Sequence, residues 1–159
     1  MRLAKYLVIA FLITTVILLC LVSGALLANY PPLLAPPGFG ERLLTYLTTH
    51  TAETRRNHRF PELELPCMPL SSAKLLPRLE EAMQSLNWQI QEIDAPQGRL
   101  SAVITTPVLR FNDDLEIHLV PAVSCTELHI RSSSRSGKGD LGANTRHILD
   151  LLQALQRQS

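Results

Sequence analysis

The sequence predicts an α+β chain in which an N-terminal transmembrane helix precedes a two-layer domain, a four-stranded antiparallel meander covered by two helices in the order α-β-β-β-β-α. Three observations predict it: an uncharged apolar run from Leu7 to Ala28, four successive period-2 segments between Trp88 and Ile130, and helically spaced leucines on either side of those segments.

The apolar run comes first. No charged residue lies between Tyr6 and Gly40, and Leu7 to Ala28 as a helix would rise ~33 Å, enough for the ~30 Å hydrocarbon layer. Arg2 and Lys5 followed by Ser23-Gly24-Ala25 also resemble a secretory signal with its cleavage site. A signal h-region runs only ~7 to 15 residues, so an uncleaved anchor is the expectation. Leu19 before Cys20 is too large for a lipobox. Arg2 and Lys5 flank the N-terminal end closely, whereas the first charges after the run are Glu41 and Arg42. The positive-inside rule then keeps residues 1–6 in the cytoplasm, spans the cell membrane once with 7–28, and puts the C-terminal domain outside the cytoplasm, on the periplasmic side in a Gram-negative cell.

Residues 29–69 read as a Pro-rich linker and an irregular lead-in. Pro31 to Gly40 carries four prolines and reads as a stiff extended spacer that holds the domain off the bilayer. Glu41 to His50 offers a short helix with Leu43, Leu44 and Leu47 on one side, and Pro61, Pro66 and Pro69 punctuate the stretch between Thr51 and Pro69.

The compact domain occupies 70–159. Ser71 or Ser72 can cap a helix bearing Leu75, Leu76, Leu79, Met83 and Leu86, with Pro77 as its flaw. The strands carry Trp88 and Ile90, then Leu100, Ala102 and Ile104, then Leu115, Ile117 and Leu119, then Leu128 and Ile130. A last helix bears Leu141, Ile148, Leu151, Leu152 and Leu155. Turns too short for crossovers make the sheet an antiparallel meander.

A hairpin turning at Val123 and Ser124 sets Ile117 opposite Ile130, Leu119 opposite Leu128, and His118 opposite His129. Extended, that register sets Asp113 against Ser134 and Asp114 against Ser133. Asp113 shares the parity of Leu115 and Ile117, so it is expected to point inward and to be held by Arg135 or Arg146.

The string RFNDD followed by IRSSSRSGKGDLGANTRHILDLL, with the lead-in TAETRRNHRFPELELP, resembles the family called domain of unknown function 1499 over roughly Thr51 to Leu155. The resemblance implies a motif cluster of Arg110, Asp113, Asp114, Arg131, Ser132, Ser134, Arg135, Gly137, Asp140, Gly142, Asn144 and Arg146. The Pro-Asn-Cys segment of other members is missing here, and the family name implies no activity.

Charge and motif spacing narrow the function. Setting Arg2 and Lys5 aside from the 15 basic residues leaves 13 against 14 acidic ones, and a domain so close to neutral does not suit nucleic acid. Gly137 to Gly142 matches G-x-G-x-x-G, but only one helix comes after it, with no second strand or acidic residue for a dinucleotide site. No cofactor is implied. A glycine turn feeding a helix N-terminus, with Arg135, Lys138 and Gly139, does suit an anion. Glu116, His118 and His129 lack a further ligand, so no metal is assigned. Cys67 precedes the first domain helix and Cys125 sits in a tight turn, with no feature that brings them together, so pairing is not expected. The expected role is a non-enzymatic binding or assembly module for an envelope partner or an anionic ligand; a hydrolase using Asp113 or Asp140 with the arginines is the alternative.

Overall fold

The computed structural model describes residues 2–158. Helix α1 (Arg2–Asn29) is followed by α2 (Phe39–Thr48), β1 (Thr51–Glu53), a 3₁₀ turn (Pro61–Leu63), β2 (Cys67–Met68), α3 (Ser72–Ser85), β3 (Gln89–Asp94), β4 (Arg99–Thr105), β5 (Asn112–Pro121), β6 (Thr126–Ser134) and α4 (Ala143–Arg157). The α+β expectation holds, and β3 to β6 form the predicted meander.

Alternation builds the sheet. Asp113, Leu115, Ile117 and Leu119 of β5 point inward and are buried, as are Leu128, Ile130 and Ser132 of β6. The pairing is the predicted one throughout, from Asp113 opposite Ser134 to Pro121 opposite Thr126. Helix α3 covers this face with Leu75, Leu79, Ala82 and Met83, and α4 with Ile148, Leu151 and Leu155. Ser71 stands at the N-cap of α3, and Pro77 sits within the helix on its exposed side, where its missing hydrogen bond is left to solvent.

The segment read as an irregular lead-in is part of the sheet. Strand β1 pairs with Arg131 to Ser133 of β6, and β2 pairs with Thr126 and Glu127, so both extend the β6 edge. Runs of two or three residues between prolines are too short to show alternation, which is why the sequence does not display them. Cys67 and Cys125 form a disulfide across that edge with Cα atoms 5.6 Å apart, correcting the expectation that they stay apart. The β2 to β6 pairing, invisible in the sequence, is what brings them together.

The Pro-rich segment is not a spacer. Val22, Ala25, Leu26 and Asn29 share one face of α1, and Ala25 and Asn29 are buried. Asn29 Nδ2 donates to the Leu141 carbonyl at 3.0 Å. Pro31 is buried and lies where a side chain at Gly142 would go, 2.6 Å from that Cβ position; Gly142 also holds φ +81°, a second reason for glycine there. The domain therefore begins at the helix end.

Helix α2 inverts the usual pattern, burying Arg42 and Tyr46 while Leu44 and Leu47 are exposed. The Arg42 guanidinium is fully buried. It donates to the Ala35 carbonyl at 2.8 Å, to both oxygens of Glu62 at 2.6 and 2.9 Å, and to the Tyr46 hydroxyl at 3.1 Å, and it lies 4.3 Å over the Phe60 ring. One side chain thus joins the turns after α1, helix α2 and the 3₁₀ turn.

A buried polar cluster as candidate functional site

Where β5 begins and β6 ends, the inward positions turn from apolar to polar, and α4 lays its first two turns over them. Asp113, Ser132 and Asn144 have no exposed surface, and His147 is 7% exposed. Asn144 is the hub. Its Nδ2 contacts the His50 carbonyl at 3.0 Å, Ser134 Oγ at 2.9 Å and Asp140 Oδ2 at 2.8 Å, while its Oδ1 accepts from Ser132 Oγ at 2.6 Å. Ser132 spends its one hydrogen on that bond, so its 3.2 Å contact with His147 Nδ1 requires the ring nitrogen to donate.

Asp140 serves α4 as its cap. Oδ1 accepts from the Gly142 amide at 2.8 Å and Oδ2 from the Asn144 amide at 3.3 Å. The turn itself is packed shut: Asp140 N donates to the Thr49 carbonyl at 3.0 Å and Leu141 N to the Tyr46 carbonyl at 2.9 Å. A side chain at Gly139 would run into the Leu47 carbonyl. The helix terminus expected to receive an external anion thus holds the chain's own carboxylate.

Asp113 is inward as expected, but its neighbours are not the expected ones. Arg135 lies on the other sheet face, where its Nε donates to Asp114 at 2.9 and 3.0 Å, and Arg146 pairs with Asp150 one helical turn on. Strand parity explains the first correction, because Arg135 comes directly after inward Ser134 and so shares the side of Asp114. The second stems from α4, whose inward stripe is Asn144, His147, Ile148 and Leu151. Neither Asp113 oxygen has a hydrogen bond, and the nearest ring nitrogen, His147 Nδ1, is 3.7 Å from Oδ2. Burial pushes the Asp113 carboxyl up to about 6, with the Ser134 hydroxyl opposing and the charges of Asp140 and Asp114 adding to the rise. Burial likewise pushes His147 down to about 4, so the ring is neutral.

The other motif residues disperse. Arg131 faces Glu116 at 4.0 Å on the outer sheet face, and His129 meets Glu127 at 3.3 Å. Gly137 takes φ +93° in the turn, and Arg110 sits exposed in the β4–β5 loop with φ +56°. The cluster's unpredicted member is His147; its spacing from Asn144 and Ile148 along α4 is the signal that marks it as inward. Arg42 and Glu62 carried no comparable signal.

Two spaces adjoin the cluster. An open groove of about 450 Å³ runs beside edge strand β1, lined by Thr48, His50, Arg55, His58, Arg131 and Asp140 among others. A cavity of about 30 Å³ lies between Asp113, Ser134, the end of α1 and the β4–β5 loop.

Residues 35–155 match the model of a family described as "Protein of unknown function (DUF1499)". No curated protein matches the chain.

Proposed function

Because the chain belongs to the DUF1499 family of proteins of unknown function, a name that carries no reaction, we propose a role from geometry: a membrane-tethered, non-enzymatic module outside the cytoplasm that offers its β1 groove to an envelope partner or anionic ligand. Helix α1 is long and apolar enough to cross a membrane. Its last turns are part of the domain through Ala25 and Asn29, which favours a retained anchor over a discarded signal. The groove carries the reading. It is open, edged by an exposed strand, and holds the guanidinium groups of Arg55 and Arg131.

The cluster weighs against hydrolysis. Ser132 and Asp113 approach the same ring nitrogen of His147, whereas activating a hydroxyl needs the acid and the hydroxyl on opposite nitrogens. Asp140 has both oxygens committed to α4. These groups serve as a tie between sheet and helix.

A reporter active only outside the cytoplasm, fused after Ser159, is expected to be active, with residues before Ala25 retained; an inactive reporter or a trimmed N-terminus overturns the topology. Inorganic phosphate should raise the melting temperature of the detergent-solubilised full chain. An equal rise in Arg55→Gln/Arg131→Gln would remove the groove as the anion site.

A further inference from the structure

The β4–β5 loop breaks the pattern of the rest of the surface. Val108, Leu109 and Phe111 are 43%, 37% and 46% exposed, crowded around Arg110 in one tip. The tip is not slack. Thr106 N donates to the Phe111 carbonyl at 2.8 Å and Phe111 N donates to Thr106 Oγ1 at 2.9 Å, so the apolar side chains are presented by a closed, prearranged turn. A contiguous exposed apolar group of this kind marks an interaction site.

Its neighbour identifies the partner. The cavity that Val108, Leu109 and Phe111 line is closed on its other side by Ala25 and Asn29 of α1. Along α1, Ala25 stands ~30 Å of helix rise beyond Lys5, the last charge at the cytoplasmic end, and ~30 Å is the depth of the hydrocarbon layer. The loop therefore lies level with the outer hydrocarbon boundary. We propose that the β4–β5 loop is a second membrane contact, in which Val108, Leu109 and Phe111 enter the outer leaflet and Arg110 meets lipid phosphates. Apolar and aromatic side chains beside an arginine are the set suited to that boundary, where the stem lies in apolar surroundings and the guanidinium reaches the headgroups. The proposal rests on the reading of α1 as a retained membrane span.

The chain has one tryptophan, Trp88, so depth can be read by moving it. The full chain is reconstituted in phosphatidylcholine vesicles with brominated acyl chains as Trp88→Phe/Leu109→Trp, and separately as Trp88→Phe/Val123→Trp. Val123 is fully exposed on the β5–β6 hairpin, at the far end of β5 from the loop. Leu109→Trp should lose most of its emission to the bromines while Val123→Trp keeps its own. Equal emission from the two, in protein that resists carbonate extraction, overturns the loop contact and leaves the anchor standing. Protein washed off by carbonate overturns the anchor and the loop contact together. If Trp88→Phe does not fold, a spin label at Leu109→Cys in a Cys20→Ser background reads the same comparison through oxygen accessibility.

Discussion

His147 Nδ1 lies 3.7 Å from Asp113 Oδ2, both side chains are buried, and their pKa values are displaced in opposite directions toward each other. Asp113 is raised from 3.8 to about 6, so the stability it contributes is complete below about 3.8 and is lost as pH rises through about 6. His147 is lowered from 6.5 to about 4, so its contribution is missing in acid and is gained as pH rises from about 4 to 6.5. At ~1.4 kcal/mol per unit each amounts to about 3 kcal/mol. The two nearly cancel.

Asp113→Asn should expose the histidine alone. Its melting temperature should climb between pH 4 and 6.5 where the parent is nearly level, and above pH 7 it should exceed the parent by about 1 to 3 kcal/mol, because the amide replaces a charged carboxylate that lacks hydrogen bonds. Thermal unfolding across a pH series checks both slopes. A variant less stable than the parent at neutral pH would mean that a cation holds Asp113 after all.

Arg42→Met should test the clamp behind α2. Loss of the guanidinium strands the Glu62 carboxylate, which is 18% exposed, and removing one partner of a buried pair costs ~3 to 5 kcal/mol. Denaturant titration should show that loss. The double variant Arg42→Met/Glu62→Gln should recover part of it.

Reduction of Cys67–Cys125 frees a span of 58 residues, which in the loop-entropy account is about 4 kcal/mol of stability. Cys125→Ser should melt lower by a corresponding amount. Alkylation of the unfolded, unreduced chain should modify Cys20 alone.

Gly139→Ala should destabilise by ~1 to 3 kcal/mol, since its Cβ meets the Leu47 carbonyl and backbone must move. Lys138→Ala, one residue away and exposed, should leave the melting temperature unchanged.

Local periodicity makes the meander, its β5–β6 register and the inward direction of Asp113 legible, because alternation and turn length are written in adjacent residues. The same rule, carried one residue further, separates Asp113 from its expected partner, since strand parity sends Arg135 outward with Asp114. Strands β1 and β2, the disulfide and the Arg42–Glu62 clamp are hidden for another reason. Each depends on contacts between distant short segments, and no local pattern records which of them meet.

Asn29 bonded to Leu141, with Ala25 and Pro31 seated against the domain, removes the swivel that a flexible linker would supply. In a bilayer the groove's height and compass bearing are then set by the helix: turning α1 about its axis swings the groove through the same angle. A partner helix docked on α1 within the membrane would thereby aim the groove, and a soluble partner would have to approach at one elevation.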